Sequence, residues 1–165
     1  MEIEAKSDTT IPELLEGRNW HWKKHGRLQY WWYVAGVIFI FFGISFAIID
    51  ESVFAVYLFI FGTYCILRKK FLEYRFRKSM GTSPAINKQM VWRFKEDGFT
   101  QESELGNSKL KWSSVFQSYS TPIGFLIYPQ KNLYYWIPRS GFSSHEDYDE
   151  VAKLLHTKTQ NRNIV

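Results

Sequence analysis

The sequence predicts a membrane α-helical hairpin followed by a small α+β domain, and three observations predict it. Trp31 to Ile49 (WWYVAGVIFIFFGISFAII) form a charge-free run of about 19 residues, long enough to cross a bilayer as a helix. A second apolar run, Val53 to Leu67, follows after only Asp50, Glu51 and Ser52. Beyond residue 90 the pattern becomes short alternating stretches punctuated by Gly, Pro and Asn, the mark of strands and turns.

Each element can be justified in order. Residues 1–30 balance their acidic and basic side chains and carry Trp20, Trp22 and Tyr30 next to Trp31, Trp32 and Tyr33. Such amphipathic rings suit the headgroup level of a bilayer. The first apolar run starts too far into the chain, is too long for a signal peptide and lacks a small-residue cleavage site. The second run, about 15 residues or roughly 22 Å of helix, is short for a core about 30 Å thick. Snorkelling of Arg68 and Lys69 extends it. Small residues recur seven apart, at Gly36 and Gly43 and at Ala55 and Gly62, and Gly43 with Ala47 makes a small-xxx-small step, so these five are the expected helix-packing positions.

Charge sets the expected topology. The chain has a formal net charge of +5, and the excess is concentrated in residues 68–78 (RKKFLEYRFRK). Arg18, Lys23, Lys24 and Arg27 flank the first run; Arg68, Lys69, Lys70, Arg75, Arg77 and Lys78 follow the second. The loop between carries only acids. The positive-inside rule then places both termini in the cytoplasm, and the same ten basic residues are the expected contacts with anionic lipid. A basic excess confined to a juxtamembrane stretch argues against nucleic acid as a partner.

In the C-terminal part, Val91 to Lys95 alternates as a strand, Glu96-Asp97-Gly98 reads as a turn in which Gly supplies positive φ, and Phe99 to Ser103 returns. Leu105 to Asn107 is a second turn. Lys109 to Trp112, Val115 to Tyr119, Gly124 to Tyr128 and Leu133 to Pro138 read as further strands, the last two joined through Pro129 to Asn132. Ser143 and Glu146 fit a capping box, opening a helix with its apolar side at Tyr148, Val151, Ala152, Leu154 and Leu155. Strands closed by one C-terminal helix are the element order of a pleckstrin-homology-like (PH-like) domain.

The expected layout is therefore a cytoplasmic N-terminal segment with interfacial aromatics (1–30), the hairpin with its basic stalk (31–80), a PH-like cytoplasmic domain (88–158) and a tail (159–165).

Chemistry-bearing patterns are sparse. His21 and His25 stand four apart without a third ligand nearby. His145 and His156 flank the last helix, and Cys65, the one cysteine, lies within the second apolar run. No Ser/His/Asp arrangement, phosphate loop or dinucleotide fingerprint is readable. Neither span holds a charge of the kind that marks an ion pathway. The expectation is a protein that is not an enzyme, with no cofactor, no metal and no small-molecule substrate.

The stretch from Trp92 to Leu155 resembles the C-terminal domain of the YcxB-like family of bacterial membrane proteins. The resemblance rests on F-x-E-D-G-F (Phe94 to Phe99), Trp112, the I-P-R ending of a strand (Ile137-Pro138-Arg139) and G-F-S-S before an acidic helix start. It extends over about residues 18 to 156, including the two basic-flanked spans. It implies a PH-like domain on a two-helix anchor in the bacterial plasma membrane and supplies no catalytic residues. The expected function is a membrane-anchored module for a protein partner or a homo-oligomer, with anionic lipids as further partners. The alternative, resting on the small-residue faces, is a subunit of an oligomeric transport or channel assembly.

Overall fold

A computed structural model describes residues 2–25, 27–49, 52–131 and 133–159. The expected hairpin-loop acids Asp50 and Glu51, the turn residue Asn132 and nearly all of the tail lie outside these residues, as does the side chain of Arg27. The chain forms two compact units, one from Met1–Trp20 with Ser83–Val165 and one from His21–Thr82.

The first unit contains two antiparallel sheets. One has the strand order β1-β2-β3-β4, built from Ile3–Asp8, Gln89–Phe94, Gly98–Ser103 and Gly106–Lys111. The other has the order β5-β6-β7, built from Gln117–Thr121, Gly124–Gln130 and Leu133–Pro138. The C-terminal helix, α4, is His145–Thr159, and the N-terminal helix, α1, is Ile11–His25.

The first strand was not expected. Residues 1–30 read as a separate segment, yet β1 pairs along its whole length with β2, from Ile3 opposite Phe94 to Asp8 opposite Gln89. Ile3 and Ala5 point into the core while Glu4 faces outward. There Glu4 meets Arg93 at 3.1 Å, and Arg93 reaches Glu102 on β3 at 2.5 Å. Hydrogen bonds from Lys6 and then from Arg93 hold the Glu4 carboxyl below its usual range. These outer-face pairs fix register rather than supply much stability, because exposed ion pairs are weak.

Inner faces of both sheets and the apolar side of α4 share one core, including Trp92, Phe94, Phe99, Phe125, Ile137 and Val151. Strand β6 is buried from Gly124 to Tyr128, which is why GFLIY lacks alternation. Its second face, with Trp136 and Tyr128, packs against Trp20 of α1. Trp20, expected at a bilayer surface, is thus part of the sheet unit's packing. Gly17 makes this approach possible, since an added Cβ would lie 2.5 Å from Trp136 Cγ.

Two local expectations are corrected. Gly98 does not turn the chain with positive φ. It opens β3, where a Cβ would sit 2.0 Å from the Leu110 carbonyl oxygen, so space is the requirement. The α4 cap is Ser144 rather than Ser143: its Oγ accepts the Asp147 N–H at 3.0 Å, one residue later than the box expected at Ser143 and Glu146. Buried Tyr148, Val151, Leu155 and Thr159 then follow at helical spacing.

The second unit is a helical hairpin of α2 (Arg27–Ile48) and α3 (Ser52–Gly81). Tyr30–Ile48 is long and apolar enough to cross a membrane, and 11% of it is buried. Large apolar side chains such as Ile38, Phe41, Phe42, Val53, Tyr57 and Ile60 face outward. The hairpin was expected to hold two spans; among the described residues Tyr30–Ile48 is the one stretch long and apolar enough. The charge-free part of α3 ends at Leu67, and a longer window takes in Arg68, Lys69 and Lys70.

Candidate functional site

The motif residues in the sheet unit turn out to be fold-making. In the β2–β3 turn the Lys95 N–H donates to the Gly98 carbonyl at 2.8 Å. Trp112 then clamps that turn from outside: its indole N–H donates to the Lys95 carbonyl at 2.9 Å and its backbone N–H to the Asp97 carbonyl at 3.2 Å. Phe94 and Phe99, at the two ends of the F-x-E-D-G-F motif, are buried. The motif and the distant Trp are therefore one hairpin lock.

The I-P-R and G-F-S-S residues form the corner that returns the second sheet to the first. Phe142 makes an isolated bridge with Ala5, and its ring meets Phe94, Phe125 and Tyr148. Gly141 lies over the Lys6 carbonyl, 2.5 Å from where a Cβ would be. The Arg139 guanidinium stacks on the Tyr148 ring at 4.8 Å, and the Tyr148 hydroxyl donates to the Thr121 carbonyl at 2.6 Å. Burial pushes the Tyr148 phenol up, partly offset by the Arg139 charge. Around this corner lies an open cavity of about 650 Å³ lined by Arg139, His145, Ser140, Phe142 and Glu16 among others.

A smaller cavity, about 200 Å³, lies where β1 and β7 part under the first turn of α1. Trp92, Tyr134, Tyr135 and Trp136 line it together with Asp8 and Glu13. Thr10 caps α1, accepting the Glu13 N–H at 3.4 Å. Burial pushes the Glu13 carboxyl up, and the Asp8 and Glu16 charges add to this, while a hydrogen bond from the Thr10 backbone opposes it. Asp8 and Glu13 did not stand out in the sequence, because the cavity's walls come from β1, α1, β2, β3 and β7, which are spread along the chain.

In the hairpin, Gly36, Gly43, Ala55 and Gly62 lie on the facing surfaces of α2 and α3. A Cβ on Gly36 would meet the Gly62 carbonyl at 2.9 Å, and one on Gly62 would meet the Gly36 carbonyl at the same distance. Ala47 is exposed and stands apart from this seam. Substituting Gly62→Val should push the helices apart, because backbone cannot yield as a flexible side chain can. Cys65, 2% exposed, is a built-in reporter. Its alkylation in detergent micelles should accelerate at least about tenfold, and an unchanged rate would contradict the packing.

The basic residues divide between the units. Arg18 is half-buried in the sheet unit, where its charge draws down the phenol of Tyr134, which burial otherwise raises. Lys23, Lys24, Lys69, Lys70, Arg75, Arg77 and Lys78 are exposed in the helical unit. Arg68 stacks over Trp32 at 4.5 Å and Arg77 pairs with Glu73 at 3.0 Å. Among the described residues no group of three His, Cys, Asp or Glu side chains comes together as a metal site.

Residues 94–155 match the family model described as YcxB-like protein. The match begins inside β2 and ends in α4, so it takes in neither β1 nor the hairpin, and it is shorter than the span of about 18 to 156 that the resemblance suggested. No curated protein and no solved structure matches the chain.

Proposed function

We propose that this protein is a membrane-anchored, non-enzymatic interaction module of the bacterial plasma membrane. The hairpin crosses the bilayer twice, both termini are cytoplasmic, and a PH-like domain at the inner face engages a protein partner or a second copy of the chain. One observation carries this reading. The strands that pair as β1 and β2 flank the hairpin in sequence, before α2 and after α3. Paired strands lie on one side of a membrane, so a chain that crosses through α2 must return.

Length supports the return. Helix α3 has 30 residues, about 45 Å at helical rise, enough for a tilted or snorkelled crossing and a basic stalk from Arg68 to Lys78. The stalk supplies the contact with anionic lipid. The four-stranded and three-stranded sheets closed by α4 support the PH-like description. Within it, the β2–β3 turn holds Glu96 and Asp97, and its Lys95 ammonium is paired with Glu2 at 3.3 Å, so this turn is acidic overall and disfavours an anionic headgroup. The small residues that suggested a transport or channel subunit are taken up within the hairpin seam, apart from Ala47.

Crosslinking in intact cells, followed by capture of the full chain, tests the proposal. A specific adduct, with a partner or as a homodimer, should be lost when the sheet unit is unfolded by a core substitution. Recovery of only background adducts would contradict it.

A further inference from the structure

The cavity between β1 and β7 has a chemistry that the module's anchoring role does not use. Four aromatic residues and two acidic residues, exposed Asp8 and half-buried Glu13, line about 200 Å³. Among the described residues neither Asp8 nor Glu13 has an ion-pair partner, although ion pairs are plentiful on the adjoining sheet, at Glu4, Arg93 and Glu102. Trp136 is 8% exposed, and its indole N–H has no hydrogen-bond partner among the described residues. A buried donor without a partner is costly. Aromatic faces and carboxylates attract organic cations, and an indole N–H requires an acceptor.

We propose that this cavity binds a small ligand carrying an ammonium group and an acceptor oxygen. The ammonium sits against Asp8 and Glu13, among the rings of Trp92, Tyr134 and Tyr135, and the acceptor takes the Trp136 N–H. The volume is below the range of about 300–1,000 Å³ for drug-sized ligands, so the occupant is the size of an ethanolamine phosphate group. Such a group occurs as a phospholipid headgroup and as a free solute, and the chemistry is shared. The inference rests on the sheet unit alone and stands whether or not the hairpin crosses a membrane twice.

The test uses the full chain in detergent, titrated calorimetrically with soluble phosphoethanolamine, and the full chain in nanodiscs containing either phosphatidylethanolamine or only phosphatidylglycerol, read by protection of β1 and α1 from hydrogen exchange. The expected result is saturable binding in the soluble arm, or added protection only with phosphatidylethanolamine. The first outcome assigns a free solute and the second a lipid headgroup. Asp8→Asn combined with Glu13→Gln should weaken binding about tenfold or more; Gln at position 13 keeps the helix cap, so the loss reports charge. Trp136→Phe, which keeps the ring packed on Gly17, should weaken it about fivefold. Absence of binding in both arms, or binding that these substitutions leave unchanged, would overturn the proposal.

Discussion

Removal of residues 2–8 is expected to unfold the sheet unit, although the deleted segment lies outside the family match and about 80 residues before the strand it supports. It takes away a strand paired at six positions with β2. It also uncovers the flank of Trp92 and Phe94 and removes Ile3 and Ala5 from the core. Burying an Ile side chain contributes about 1.5–3 kcal/mol, and each net ladder hydrogen bond about 1 kcal/mol. Losses of that kind rival the whole stability of a domain, about 5–15 kcal/mol. Limited proteolysis of the full chain in micelles should show residues 83–159 cleaved rapidly in the deletion variant and resistant in the parent. Lys6→Ala, on the exposed face, should leave resistance unchanged.

Trp92→Ala is expected to cost about 3–5 kcal/mol, the range for deleting a buried large aromatic. The ring is 1% exposed and meets Phe99 and Tyr135 at centroid distances of 6.2 and 5.3 Å. Its N–H reaches Ser7 Oγ on β1 at 3.4 Å, so the substitution also loosens the strand contributed by the N-terminus. Denaturant unfolding followed by the remaining tryptophans should show the shift. A change below about 1 kcal/mol would contradict the packing described, because surface-like sites behave that way.

The hairpin and most strands were legible because their signals are local. An apolar run without charge, a turn rich in Gly and Asn, and an alternating strand each announce themselves within ten residues. Strand β1 was not legible. In IEAKSD only Ile3 and Ala5 are buried, Glu4 and Lys6 belong to the outer face, and the partner strand lies beyond two long helices. Trp20 misled for a related reason. It neighbours Trp22 and Lys23, so composition suggested a bilayer surface, whereas its ring packs near Tyr128 and Trp136. Gly98 has the sequence context of a turn glycine, and only the three-dimensional approach of Leu110 reveals its reason. The second run is less distinct than the first because its charge-free part ends at Leu67, where Arg68 and Lys69 begin. The aromatic and acidic cavity left no sequence trace at all, since Asp8, Glu13 and Trp136 meet only when β1, α1 and β7 are in place.

The central claim is that the hairpin crosses the membrane and returns, leaving its two flanking strands on one side. In a Cys65→Ser background, single cysteines introduced as Lys6→Cys, Glu51→Cys and Lys158→Cys can be probed in intact cells with a membrane-impermeant maleimide. Labelling at position 51 from outside, with positions 6 and 158 protected until the cells are permeabilised, is the predicted result. Labelling that places positions 6 and 158 on opposite sides, or position 51 on the same side as both, would contradict it.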